Sequence, residues 1–147
     1  MILPVSACLL GIPCRYDGQS QPCPELLPLW NHHTFLPVCP EMMGGLAVPR
    51  VPAERQGEMV ITREGRDVTN AYRQGAKRTL ALLKQQGCSC ILLKENSPSC
   101  GCGRIYDGTF SGILAWGNGV TAQLLQENGI QIFGESQICA WKEFLGL

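Results

Sequence analysis

A helix-forming stretch, a glycine and a short apolar run follow one another twice in the C-terminal half of the chain. Residues 82–87 end in Gly87 and precede the apolar run 90–93, and residues 124–129 end in Gly129 and precede the run 130–133. Glycine ends a helix readily because it adopts a left-handed conformation without steric cost. A short, continuously apolar run is typical of a parallel strand that is buried on both faces. This order therefore predicts an α/β fold with a mainly parallel sheet.

Other segments fit the same scheme. Apolar residues predict two more strands, at 2–10 before Gly11 and at 35–39, and an extended piece at 59–62. The clearest helix begins at Asp67 or Thr69 and ends at Gly87, because apolar or small residues recur there at helical spacing. The other predictions are helices at 24–30, 120–128 and 136–147, and loops at 11–24, 40–57 and 94–119.

The length of 147 residues suits one domain. We therefore predict a single domain over residues 1–147, built as a small three-layer α/β sandwich. Its sheet has about four mainly parallel strands, and helices cover both faces.

Charge and hydropathy limit the partners of this chain. Lysine and arginine number 12, as do aspartate and glutamate, so the formal net charge is zero. This balance argues against binding nucleic acid through bulk positive charge. No apolar run approaches the ~20 residues that a membrane span needs, and the N-terminus lacks the pattern of a secretory signal. We expect a cytoplasmic protein whose partner is a small molecule.

The chain contains nine cysteines. In a cytosolic protein, many thiols indicate metal binding, redox chemistry or catalysis more than a disulfide framework. No Cys-x-x-Cys sequence occurs, which argues against a zinc ribbon, a thioredoxin-type pair and a ferredoxin-type ligand run. The functional cysteines should therefore come from separate segments of the chain.

Three of the cysteines stand where predicted strands end. Cys8 lies at the end of the first strand, Cys39 at the end of the second, and Cys100 in the loop that leaves the third. The carboxyl ends of parallel strands share one edge of a sheet, and ligand sites of open α/β folds form there. We expect these three thiols to converge.

Three interpretations of this convergence are open. Three thiolates could hold zinc or an iron–sulfur cluster and leave one metal position without a protein ligand. One cysteine could instead be a nucleophile, or all could be small buried hydrophobes. Cys14, Cys23 and Cys102 lie in loops near the same edge and are possible substitutes. The remaining cysteines are predicted to be packing or surface residues: Cys88, Cys90 and Cys139.

Four blocks of sequence resemble a known family. They are residues 5–11 with 14–18; 37–41 with 44–46 and 49–50; 67–69 with 75–76; and Lys94 with 97–101, 106–108 and 117–122. In this order, over about residues 4–135, they resemble the thiouracil desulfidases, small bacterial proteins long catalogued as a domain of unknown function.

The resemblance implies an enzyme with an iron–sulfur cofactor. In the desulfidases, three cysteines hold a 4Fe-4S cluster in which one iron lacks a protein ligand. The sulfur of 2-thiouracil binds that iron, and water replaces the sulfur, giving uracil and sulfide without net redox change. Carried over by motif, the cluster ligands of this chain are Cys8, Cys39 and Cys100.

Two residues are candidates for catalysis within this scheme. Glu41 follows Cys39 by two positions and is a candidate general base for water, or else a loop anchor that accepts backbone N–H bonds. Ser99 precedes Cys100 and could orient water or substrate, or else shape the turn around Pro98.

Four further polar residues are candidates for substrate binding: Ser6, Asp17, Ser97 and Asn118. Ser6 and Ser97 could equally bond to cluster sulfurs or backbone, and Asp17 could form a loop ion pair. Asn118 precedes a predicted helix, whose amino terminus suits a ligand oxygen.

Two other functions keep the same three cysteines. The chain could carry a cluster and bind or deliver sulfur without turnover. Alternatively, it could be a hydrolase in which the thiolates hold zinc. Metal analysis and an assay for sulfide release separate these from the desulfidase.

Overall fold

The computed structural model describes all residues 1–147. Its strands are β1 (Ile2–Ser6), β2 (Thr34–Val38), β3 (Ala53–Gln56), β4 (Met59–Thr62), β5 (Cys90–Leu93), β6 (Arg104–Tyr106), β7 (Leu114–Trp116) and β8 (Gln131–Gly134). Its α-helices are α1 (Pro40–Met43), α2 (Thr69–Gln85), α3 (Val120–Glu127) and α4 (Ile138–Leu145). Short 3-10 helices occupy Ala7–Leu10, Pro24–Leu29 and Glu135–Gln137.

Four strands form one sheet in the order β2-β1-β5-β8. Every pair in this sheet is parallel, with Leu3 beside Phe35 and Leu92 beside Phe133. The predicted α/β fold with about four parallel strands is therefore confirmed, and each predicted strand of the sheet is present.

Helices cover both faces of the sheet. Alternate side chains of a strand point to opposite faces, so Leu92 packs with Trp141 of α4 on one side. Ile91 and Leu93 pack with Leu83 of α2 on the other side, where α3 also lies. This arrangement gives the predicted three layers.

The first strand is shorter than predicted. β1 ends at Ser6, and Ala7–Leu10 form a 3-10 helix closed by Gly11, whose φ is 91°. Residues 7–9 are buried like a strand, so the apolar run continues across the change in backbone conformation. Cys8 therefore lies on a tight turn just beyond the strand.

The structure confirms the extended piece predicted at 59–62, which is β4, but three strands lie in regions predicted as loops: β3, β6 and β7. β3 pairs with β4, and β6 pairs with β7. The buried carboxylate of Glu54 on β3 accepts hydrogen bonds from the N–H groups of Gly108 and Phe110, at 3.0 and 3.1 Å. This contact fixes the loop between β6 and β7 against β3.

The loop prediction for 40–57 also missed α1, which packs on α2 through two glycines. A Cβ atom at Gly44 would lie 2.1 Å from the carbonyl oxygen of Ala71. A Cβ atom at Gly75 would lie 1.9 Å from the carbonyl oxygen of Pro40. The two backbones are therefore in direct contact, and this contact sets the position of α1.

Candidate active site

A cavity of about 500 Å³ opens at the carboxyl end of the parallel sheet. Its lining includes Cys8, Cys39 and Cys100, from three separate segments of the chain. The structure thus brings together the three cysteines that the strand ends singled out. The arrangement follows the rule that open α/β sheets place ligand sites at this edge.

A different local structure places each cysteine at the cavity. Cys8 lies on the 3-10 helix after β1, and Cys39 immediately precedes α1, which begins with Pro40. Cys100 follows β5 in a turn where the Ser97 hydroxyl accepts its backbone N–H at 3.1 Å. Cys8 and Cys100 are buried and Cys39 is partly buried.

The ligand types at the cavity suit an iron–sulfur cluster. No group of three His, Cys, Asp or Glu side chains is close enough to hold one metal ion. A mononuclear thiolate site needs all its sulfurs about 2.3 Å from one zinc. The cysteines instead border a wide cavity, and soft thiolates are the ligands that iron–sulfur clusters take. The residues present therefore fit a polynuclear iron–sulfur group.

The surroundings of two of these cysteines disfavour ionisation of the thiol to a thiolate. Burial raises the pKa of Cys100, and the nearby carboxylate of Glu41 raises it further. A hydrogen bond with Cys14 and then burial raise the pKa of Cys39. These thiols are neutral at physiological pH, so metal binding must displace their protons.

Cys14 is a fourth cysteine in the cavity lining. A hydrogen bond with Cys39 lowers the pKa of Cys14, but a hydrogen bond with Cys8 and burial outweigh it and raise the pKa to about 11. The Cys14 thiol therefore lies beside two of the three predicted ligands. Cys23 and Cys102, the other two possible substitutes, do not line the cavity.

The carboxylate of Glu41 is bonded unequally at its two oxygens. Oε2 accepts hydrogen bonds from Arg50 Nη2 at 2.8 Å, Arg50 Nε at 3.1 Å and the Tyr72 hydroxyl at 3.1 Å. Oε1 accepts a longer bond, from the Ser97 hydroxyl at 3.3 Å. Because Oε2 is saturated, Oε1 is the oxygen with capacity to accept another proton.

The Arg50–Glu41 pair is a shielded ion pair, with side-chain exposures of 10% and 14%. Burial lowers the pKa of Arg50, but the Glu41 carboxylate outweighs it and raises that pKa. Burial and Glu41 together raise the pKa of Tyr72. A neutral phenol and a guanidinium cation therefore face one carboxylate.

Two of the predicted serines also line the cavity. The Ser97 hydroxyl accepts the backbone N–H groups of Ser99 and Cys100 while it donates to Glu41. The Ser6 hydroxyl accepts the backbone N–H of Lys94 at 2.9 Å. Each serine thus links the cavity to the backbone of the β5 end.

The other three predicted site residues lie outside the cavity lining. Ser99 is 1% exposed, and its hydroxyl shares a 2.8 Å hydrogen bond with Thr121. The carboxylate of Asp17 accepts the N–H of Gln19 in a local turn. These two side chains therefore shape loops and do not face the cavity.

Asn118 also bonds within the protein. Its side chain accepts the N–H of Gly103 at 2.8 Å and donates to Gln126 at 2.9 Å. The first N–H groups of α3 bond to the carbonyls of Pro98 and Ser99. The α3 amino terminus is therefore occupied by the Cys100 loop, not free for a ligand oxygen.

Sequence reasoning missed Arg50 and Tyr72 as site residues. Arg50 stands in a loop rich in proline and glycine, where only its adjacency to Pro49 in the second motif block could have marked it. Tyr72 fits the apolar periodicity of α2, so the pattern assigns it to the core. Its 3% exposure agrees with that assignment, whereas the bond to Glu41 does not follow from it.

Aromatic and cationic side chains complete the cavity wall. Tyr16, Tyr106, Phe110 and Arg63 all line it. The Arg63 guanidinium lies 5.6 Å from the centroid of the Phe110 ring, within the range of a cation–π contact. Flat rings near polar groups suit a small planar ligand.

None of the helices combines the length and the apolar character required to cross a membrane.

The sequence and the fold both match known proteins. Residues 3–137 match the family described as 2-thiouracil desulfurase. The chain is 43% identical over 148 residues to the uncharacterized protein YbbK of Bacillus subtilis (strain 168), covering 94% of this chain and 97% of that protein. It is also similar to the solved structure of the 4Fe-4S-dependent thiouracil desulfidase TudS, with a TM-score of 0.93, 49% identity and coverage of 98% and 97% of the two chains. This protein therefore belongs to the 2-thiouracil desulfurase family.

Proposed function

We propose that this protein is an iron–sulfur-dependent desulfidase that removes the sulfur of 2-thiouracil or a related thiolated nucleobase. The supporting observation is the cavity that three strand-end cysteines share with Glu41. Family membership and the likeness to TudS support the same reaction. Water supplies the oxygen that replaces sulfur, so the products are uracil and sulfide, without net redox change.

Cys8, Cys39 and Cys100 are the proposed ligands of a 4Fe-4S cluster. When bound, such a cluster supplies a soft Lewis acid for the sulfur of the thiocarbonyl. One iron would have no protein ligand. Cys14 lines the same cavity, and its carbonyl oxygen lies 3.9 Å from the Cys39 sulfur; we propose that its thiol lies beside the cluster without binding it.

Glu41 is the proposed general base. Its Oε1 faces Ser97 and has lone-pair capacity, whereas Oε2 is saturated by Arg50 and Tyr72. A water near Oε1 would lose a proton to that oxygen as its own oxygen attacks the ring carbon. The Arg50 guanidinium holds the carboxylate in place through a shielded ion pair at 2.8 Å.

The serines have different proposed roles. Ser97 contacts Glu41 Oε1 and orients the water or the substrate at that oxygen. Ser6 contacts substrate or cluster sulfur from the end of β1. Ser99 acts through the Cys100 sulfur, which lies 3.9 Å from its hydroxyl, so it is a positioning residue. We assign Asp17 and Asn118 to loop structure instead of substrate contact.

The decisive experiment starts with protein reconstituted with iron and sulfide in the absence of oxygen. Iron and acid-labile sulfide are measured, and release of sulfide and uracil from 2-thiouracil is then followed. We expect about four irons per chain, the number in the proposed 4Fe-4S cluster, and equal amounts of both products over many turnovers. Zinc as the sole bound metal, or folded protein that binds no iron, would contradict the proposal. A single stoichiometric release would favour sulfur binding without turnover.

The Glu41→Gln variant tests the base. We expect kcat to fall about 10²–10⁴-fold, the usual contribution of a positioned general base, while iron content stays unchanged. Glu64→Gln is the matched control, because Glu64 is an exposed carboxylate on a turn after β4. Equal activity of the two variants would remove Glu41 from the mechanism.

A further inference from the structure

The hydroxyl of Tyr72 has one hydrogen-bond partner. The side chain lies on α2, is 3% exposed, and donates to Oε2 of Glu41 at 3.1 Å. Burying a hydroxyl costs desolvation energy, and a phenylalanine would keep the same ring without that cost. The hydroxyl is therefore unnecessary for core packing alone.

Arg50 alone does not fix the orientation of the carboxylate. Both of its bonds to Glu41 end on the same oxygen, Oε2. Its guanidinium is itself held by the carbonyls of Ala47 and Cys14, each at 3.2 Å. With only this contact, the carboxylate could turn about Oε2 and carry Oε1 away from Ser97. Tyr72 approaches the same oxygen from a different element, α2. Because donors prefer to lie in the plane of an sp² oxygen, donors from two directions together restrain that rotation.

We infer that Tyr72 is a positioning residue that fixes the plane of the Glu41 carboxylate and so aims Oε1 at the reacting water. This inference rests on the proposed role of Glu41 as general base. The donors to Oε2 come from different parts of the chain, Arg50 from a loop and Tyr72 from α2. The weaker 3.3 Å bond from Ser97 leaves Oε1 available for catalysis.

The Tyr72→Phe variant tests the inference because it removes one buried oxygen and keeps the ring. Loss of the Glu41 carboxylate's orientation lowers kcat more than it weakens substrate binding. We expect kcat to fall about tenfold, with unchanged KM and unchanged iron and sulfide content. Thr79→Val is the matched control: its buried hydroxyl lies on the same helix but donates to the Gly75 carbonyl at 2.8 Å and contacts the Met43 sulfur at 3.6 Å, not Glu41. That control should keep wild-type kcat.

A double-mutant cycle separates positioning from a general structural role. If Tyr72 acts only through the Glu41 carboxylate, Tyr72→Phe should cause no further loss in the Glu41→Gln background. An equal fold-loss in both backgrounds would overturn the inference. Unchanged kcat in Tyr72→Phe alone, or loss of the cluster in that variant, would also overturn it.

A crystal structure of Tyr72→Phe gives a readout that does not depend on turnover. We expect Glu41 Oε1 to move out of hydrogen-bond distance of Ser97 or to show more than one orientation. An undisturbed carboxylate would contradict the inference even if the wild-type protein were inactive on thiouracil. Inactivity of the wild-type protein with a disordered Glu41 in the variant would instead count against the proposed function alone.

Discussion

The loops at the two ends of the parallel sheet are held by different kinds of hydrogen bond. At the amino end, α2 and α3 close on Gly87 and Gly129, which bond back to carbonyls of their own helices before the next strands begin. At the carboxyl end, side chains from distant segments bond to one another, as Tyr72 and Ser97 do with Glu41. Backbone hydrogen bonds are enough to reverse the chain, whereas a reactive site needs side chains fixed from several directions.

The cysteines follow the same division. Cys8, Cys14, Cys39 and Cys100 line the cavity at the carboxyl end. Cys88 and Cys90 lie at the amino end, in the turn before β5 and at its first residue. These six cysteines thus separate according to which end of the sheet each residue occupies.

The largest expected effect comes from replacing the proposed ligands. Individual alanine substitutions of Cys8, Cys39 and Cys100 should each reduce bound iron and sulfide release to background, because each removes a thiolate from the cluster. Cys88→Ala at the opposite end should retain both. Iron analysis of anaerobically reconstituted proteins checks the expectation. Full iron content in any of the three variants would exclude that residue as an essential ligand.

A smaller effect is expected from the contact between α1 and α2. Gly75→Ala places Cβ against the carbonyl of Pro40, so we expect a loss of about 1–3 kcal/mol in the free energy of unfolding, the usual cost of overpacking. Activity should also fall, because α1 carries Glu41. Chemical denaturation and kcat measured on the same preparations test both effects.

Gly87→Ala is the matched control at the amino end. Gly87 has a φ of +67° and open space where a Cβ atom would lie, so alanine there adds backbone strain of about 1–2 kcal/mol without a collision. We expect lower stability and an unchanged kcat. If Gly75→Ala also left kcat unchanged, α1 would not need its close approach to α2 for catalysis.

The sequence predicted the parallel sheet because its elements carry strong local signals. α2 has a long helical periodicity, and β5 is a continuous apolar run. The β6–β7 hairpin could not be predicted, because each strand has three residues and β6 alternates only one buried residue between two exposed ones. Such short strands are held by partners elsewhere in the chain, including Glu54 on β3.

In the candidate site, too, only the features with a local sequence signal could be predicted. The cysteines were recognisable because each stands beside a strand end, which is a local feature of sequence. The Tyr72 hydroxyl meets a carboxylate 31 positions earlier in the chain. The local sequence pattern does not distinguish Tyr72 from an apolar residue on the buried face of α2. Its hydrogen bond to Glu41 is therefore visible only in the folded protein.

Cys14→Val should have a smaller effect than loss of a ligand, because Cys14 is proposed to lie beside the cluster without binding it. We expect iron content equal to wild type, while the reduction potential of the cluster becomes more negative, because hydrogen bonds to ligand sulfurs raise that potential. Cys14→Ser keeps a donor and should lie closer to wild type. Loss of iron in Cys14→Val would identify Cys14 as a ligand instead.

The smallest effect is expected at Asn118, which lies at the carboxyl end of the sheet but bonds only to neighbouring protein groups. Its side chain joins the Gly103 N–H to Gln126 on α3, so Asn118→Ala removes two partly exposed hydrogen bonds, worth about 0.5–1.5 kcal/mol each. We expect a small decrease in the unfolding midpoint and an unchanged KM for 2-thiouracil. A several-fold rise in KM would mean that the substrate extends beyond the cysteine cavity to the start of α3, and the functional region at this end of the sheet would then be wider than its cavity.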